Sequence, residues 1–143
     1  MHKLTGAQPV YRYRYCHPRP DMVLKDKVAG LAGGVREKTS DTPAAPRALG
    51  AVHSADIEYA MGTLPTNRVY DWQPEDYVVS DIFSNYYVNF VKTGNPNGLG
   101  LVDWPTTNGK AIAPVLQIDV NTFVKEDPNM EKRDEIMDGL VRK

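Results

Sequence analysis

Hydrophobic and polar positions alternate strictly from Val10 to Tyr15. Val10, Arg12 and Arg14 fall on one face and Tyr11, Tyr13 and Tyr15 on the other. Period two with aromatic side chains predicts a strand, and a tyrosine face predicts packing against something large. His17-Pro18-Arg19-Pro20 then ends the strand, since proline has no N–H to give to a ladder. Over residues 21–49 periodicity is broken by Gly30, Gly33, Gly34, Pro43 and Pro46, so a weakly structured connection is expected there. Asp56 to Met61 has room for one or two helical turns, closed by Gly62 and Pro65.

The clearest helix is predicted from Pro74 to Lys92. Proline suits the first helical position, which needs no donor. Trp72 stands where it could staple onto Tyr77, four positions into the helix. Val78, Ile82, Tyr86 and Phe90 form one ridge, and Val79, Phe83, Tyr87 and Val91 the next, which predicts a broad, well-buried apolar face. Gly94 and Pro96 supply the stop. A second strand is expected over Val115 to Val120, with a short partner at Thr122 to Lys125. Asp127-Pro128 reads as cap and first residue of a last helix, whose apolar stripe is Met130, Ile136, Met137, Leu140 and Val141. Strands separated by mainly helical sequence point to an α/β fold. Two strands this far apart are not expected to stand alone as a sheet, so the sheet is expected to be incomplete.

Composition narrows the classes. A length of 143 residues suits one domain. Seventeen basic and eighteen acidic residues leave a net charge of -1 with no long run of one sign, so no nucleic-acid partner is expected. A single cysteine, Cys16, excludes an internal disulfide framework and a cysteine-rich zinc site. No apolar run approaches the roughly 18 residues of a membrane span, and Met1-His2-Lys3 opens no signal peptide.

The candidate chemistry centres on His53, in Gly50-Ala51-Val52-His53-Ser54-Ala55-Asp56-Ile57-Glu58-Tyr59. An imidazole titrates near neutrality, so it can take a proton and return it. It needs a nucleophile on one ring nitrogen and an acid on the other. Ser40, Ser54, Ser80 and Ser84 are the serines, and none lies in G-x-S-x-G. Asp56 and Glu58 are nearby acids. Capping and charging the start of the short helix is the favoured role for them, over serving as the acid for His53, because a side chain three residues from His53 on the same turn points poorly at its ring. His53 with Asp56 offers only two ligands, so no metal site is expected. Cys16 and His17 are adjacent on a strand and face opposite ways. The Gly30 to Gly34 cluster reads as a flexible loop, lacking both the histidine of an oxyanion loop and the register of a phosphate loop. His2 reads as a solvated terminus, His17 as a strand end, Trp72 and Trp104 as packing residues, and Asn95-Pro96-Asn97-Gly98 as a turn.

The stretch around His53, followed by Asn89-Phe90, Thr93-Gly94-Asn95-Pro96-Asn97-Gly98 and Trp104-Pro105, closely resembles the C-terminal part of the type-B carboxylesterases. This is the cholinesterase-like branch of the α/β-hydrolases that includes the para-nitrobenzyl esterases. The resemblance covers almost the whole chain. It implies that residues 1–143 are the C-terminal segment of an α/β-hydrolase domain, with few strands, flanking helices and an incomplete sheet. It implies that His53 is the base of a Ser-Glu-His triad whose serine and acid lie upstream. The parent would hydrolyse small carboxylic esters through an acyl-serine, without cofactor or metal, and this segment would be inactive alone. Self-association through an exposed sheet edge or apolar helix faces is then expected; for the helices over 74–92 and 128–143, covering the core is favoured over forming a dimer interface. The alternative is a non-catalytic, cholinesterase-like adhesion domain, against which the retained histidine argues.

Overall fold

The computed structural model describes residues 8–29, 35–42, 50–108 and 112–129, and beyond these Lys132, Glu135, Ile136, Gly139 and Leu140. Along the chain come β1 (Tyr13–Tyr15), β2 (Lys27–Ala29), β3 (Val35–Glu37), α1 (Ile57–Ala60), a 3₁₀ turn (Leu64–Thr66), α2 (Pro74–Thr93), β4 (Ala113–Ile118) and β5 (Phe123–Asp127). The main sheet has the order β1-β4-β5. β1 lies parallel to β4, with Tyr13 opposite Leu116, and β5 returns antiparallel along β4.

The tyrosine face of β1 packs as its alternation predicts. Tyr13 meets Phe83 edge-on at 5.1 Å, and Tyr15 stacks on the same ring at 5.9 Å. Arg12 and Val10 fall outside the strand proper, yet the Arg12 carbonyl accepts from the Leu116 N–H and the Val10 carbonyl from that of Thr107. Central β4 has all six residues buried, including Gln117, because it has a strand on either side. It begins and ends two residues earlier than expected. Asp119 leaves the ladder for a turn in which its carbonyl accepts from the Thr122 hydroxyl at 2.7 Å.

Several expectations are corrected. The connection over 21–49 contains the antiparallel pair β2 and β3, closed by a Lys27–Glu37 ion pair. Three-residue strands are too short to show a period, which is why alternation missed them. Gly30, Gly33, Gly34, Pro43 and Pro46 lie outside the described residues. Asp127 does not cap a helix, because β5 runs through it and its carboxylate accepts from the Asn129 N–H. Farther on, Ile136 and Leu140 are exposed helical residues; Met130, Met137 and Val141 lie outside the described residues.

α2 falls within one residue of its predicted span. Pro74 opens it, and Gly94 ends it in the left-handed region at φ 75°, its N–H reaching the Phe90 carbonyl. Its buried stripe is narrower than expected: Asp76, Val79, Ser80, Phe83 and Tyr86. Val78, Tyr87, Phe90 and Val91 are exposed, because among the described residues only the sheet, α1 and the loops beside them cover the helix. Trp72 does not staple Tyr77. Its ring lies against Tyr59 at 5.6 Å and Tyr70 at 5.3 Å, its indole N–H bonds the Asn67 carbonyl, and Tyr77 is exposed.

Past α2, Thr93 to Gly98 lashes the helix end to Trp104. Asn97 accepts from the Trp104 N–H at 2.6 Å and donates to its carbonyl at 3.1 Å, while the indole N–H bonds the Arg12 carbonyl across the sheet. A side chain at Gly98 would come within 2.5 Å of Asn89, whose amide donates to the Pro96 carbonyl. Asn97→Ala strips both backbone partners from a nearly buried tryptophan. The expected loss is about 2–3 kcal/mol in urea unfolding, and a loss under about 0.5 kcal/mol would show that water replaces the amide.

Candidate functional site

β1 and β4 run parallel, and their carboxyl ends carry the polar groups of interest. His17 and Arg19 follow β1, and Asp119 follows β4. The crevice outside the carboxyl ends of parallel strands is where open α/β sheets place their ligand sites.

His53 sits in a tight turn closed by the Ala55 N–H bonding the Val52 carbonyl at 3.1 Å. Ser54, the third residue of the turn, takes φ 61°, in the left-handed region. An L-residue with a β-carbon pays about 1–2 kcal/mol there, so the surroundings must hold it. Arg19 donates to the Ser54 carbonyl at 3.2 Å. Ala55 behind the turn is fully buried, whereas the His53 ring is exposed and has no hydrogen-bond partner among the described residues.

Neither nearby acid turns to His53. Asp56 accepts from the Tyr13 hydroxyl at 2.9 Å, and Glu58 accepts from Arg19 and from Asn67. Asp56 is the N-cap position of α1 but makes no side-chain cap bond, so its role is to tie the turn to β1. Burial, with Tyr87 and Asp56 alongside, pushes the Tyr13 phenol well above its ordinary range, which keeps it a donor to Asp56.

His17, read from sequence as a strand end, is a hub. Its Nδ1 lies 3.0 Å from Asp119 and its Nε2 3.0 Å from Asp76. Both contacts are hydrogen bonds only if both ring nitrogens carry protons. Asp76 also accepts from the Tyr59 hydroxyl at 2.5 Å and from the Gln73 N–H at 2.7 Å. The Asp76 side chain is 2% exposed. Burial, and Asp76 next to it, raises the Tyr59 phenol well above its ordinary range. The spacing of Gln73 and Asp76 was the one local signal for this cluster, as an N-cap and third helical position.

Cys16 is half-buried, with its Sγ 3.5 Å from Gln117, and burial raises its thiol, so it is no activated nucleophile. Ser80 donates to the Tyr59 carbonyl inside the core, and Ser84 to that of Asp81. Among the described residues no group of three His, Cys, Asp or Glu side chains could hold a metal ion, and no helix is long and apolar enough to cross a membrane.

The sheet, the helix laid on it and a histidine turn beyond the strand ends define part of an α/β-hydrolase fold. A PNB esterase structure superposes on 89% of the chain and 21% of its own with TM-score 0.59 at 22% identity. A thermophilic PNB esterase superposes on 89% and 22% with the same TM-score and identity. Carboxylesterase 4A of Bos taurus is 30% identical over 116 residues, which are 81% of this chain and 17% of that protein. Bile salt-activated lipase of Homo sapiens is 40% identical over 58 residues, 41% of this chain and 8% of that protein. Residues 1–136 match the profile described as "Carboxylesterase family". The chain belongs to the carboxylesterase family, and it spans 8% to 22% of the length of these relatives.

Proposed function

We propose that residues 1–143 are the C-terminal segment of a serine carboxylesterase, that His53 is its triad base, and that the chain is inactive alone. His53 would take the proton of a serine outside these residues as that serine attacks a small carboxylic ester. It would return the proton to the leaving alcohol, then activate water against the acyl-enzyme. No cofactor or metal enters this chemistry.

The observation that carries the reading is the state of the His53 ring: exposed, without a partner among the described residues, and borne on a left-handed turn beyond the strand ends. A base waiting for a serine on one nitrogen and an acid on the other has this need. Asp56 and Glu58 are engaged elsewhere, which supports an acid from outside the chain. The outer edge of β1 has no strand on it among the described residues, and Val78, Phe90 and Val91 are exposed on α2. The remainder of a hydrolase domain, or a second copy, would cover such surfaces.

Hydrolysis of para-nitrophenyl butyrate by the purified chain, beside His53→Ala, tests the claim of inactivity. The expected result is no turnover above the variant. Turnover that vanishes with His53 would place a nucleophile within these residues and overturn it.

A further inference from the structure

Arg19 lies four residues beyond β1, and its side chain is 18% exposed. One terminal nitrogen, Nη2, donates both to the Ser54 carbonyl at 3.2 Å and to the Glu58 carboxylate on α1. The other, Nη1, donates to the Tyr70 hydroxyl at 3.3 Å, and the guanidinium carbon lies 5.0 Å from the centre of the Tyr70 ring. Glu58 is held in turn by the Asn67 amide at 2.5 Å, and the Asn67 carbonyl by the Trp72 indole. One planar cation thus joins the end of β1, the histidine turn, α1 and the loop before α2.

The Ser54 carbonyl belongs to the residue next to His53, and Ser54 holds a backbone conformation that L-residues rarely adopt. Among the described residues, the other bonds that fasten the turn are the Ala55 N–H to Val52 and the Asp56 carboxylate to Tyr13. Arg19 alone among these reaches the left-handed residue itself.

We propose that Arg19 is the positioning residue of the His53 turn: its fork fixes the Ser54 carbonyl against α1 and so sets where the imidazole points. This rests on the reading of His53 as the base for its catalytic meaning, but not for its structural content. Arg19 touches no reacting atom. A lysine keeps the charge yet lacks the planar fork that serves Ser54, Glu58 and Tyr70 together, so Arg19→Lys is expected to release the turn without unfolding the chain.

The test is NMR of the 143-residue chain carrying Arg19→Lys, with Arg19→Gln as the more severe change. The reporters are the exchange rate of the Ala55 amide, which is bonded across the turn, and the His53 ring resonances. Gly94 and Leu116 amides, bonded to Phe90 and Arg12, serve as controls. Ala55 exchange should rise at least about tenfold, a local opening. The His53 lines should broaden or split, while the control amides and the His17 lines hold. An unchanged Ala55 rate and unchanged His53 lines in Arg19→Lys would overturn the inference. So would a uniform rise at Ala55, Gly94 and Leu116, which would make Arg19 a general fold contact. Should Arg19→Gln fail to fold, Arg19→Lys carries the comparison. None of these readouts involves ester hydrolysis, so loss of the base assignment would leave Arg19 standing, and failure here would leave His53 as base.

Discussion

In a protein that joins this chain to the proposed serine and acid, His53→Ala is expected to lower kcat for an ester by about 10⁴-fold or more, with KM within a few fold. The size follows from what a base does in a triad. Without it the serine hydroxyl must attack while still protonated, and the alcohol must leave without a proton, so both halves of the reaction lose the same group. Binding of the ester does not use the imidazole, so KM is spared. The chain has three histidines, and the structure separates the two that it describes. Both His17 nitrogens are engaged by carboxylates, so neither faces the space where a serine hydroxyl would have to come. The His53 ring meets none among the described residues. A steady-state comparison decides it: a kcat loss below about tenfold would remove His53 from the role of base.

What the sequence made legible, and what it hid, divides by distance along the chain. α2 could be read almost to the residue because helix signals are local: a proline at the start, a glycine past the end and ridges four apart. The tyrosine alternation of β1 was equally local. How much of α2 is covered was not, since an apolar ridge shows what can be buried and not what lies over it. β2 and β3 escaped because three residues carry no period, and the end of β4 because Asp119 and Val120 continue its alternation after the ladder has stopped.

The site divides in the same way. His53 stood out through its neighbours from Gly50 to Tyr59. Asn95 to Gly98, equally visible as a motif, turn out to hold Trp104 and the end of α2, work that the residue types alone described only as a turn. Arg19 was read as part of a strand terminator. Its partners Ser54, Glu58 and Tyr70 lie 35, 39 and 51 residues away, and no spacing rule joins them. His17 meets Asp76 and Asp119 across 59 and 102 residues. A polar hub of this kind becomes visible only when the fold brings its members together, because its logic is a count of donors and acceptors.

Asp76 holds that hub, and Asp76→Ala is expected to destabilise the chain by about 3–5 kcal/mol, a large part of the 5–15 kcal/mol that holds a typical domain folded. Two donors and a histidine ring nitrogen meet its two oxygens. Oδ1 takes the Tyr59 hydroxyl and His17 Nε2, and Oδ2 takes the Gln73 N–H at the start of α2. Alanine would take the carboxylate from the Tyr59 hydroxyl in the core, and would leave a histidine side chain 12% exposed with a carboxylate on only one nitrogen. Each buried group stranded in this way costs about 1–3 kcal/mol, more when charged. Loss of the cap bond adds about 1 kcal/mol. Asp76→Asn separates charge from geometry. Its amide oxygen can still accept, but its NH₂ must then face a donor, so a loss of about 1–3 kcal/mol is expected. Urea unfolding followed by far-ultraviolet circular dichroism measures both. If Asp76→Ala cost less than about 1 kcal/mol, the carboxylate would be dispensable and the joint between β1, α1 and α2 would rest on its aromatic packing, Tyr15, Tyr59 and Phe83, instead.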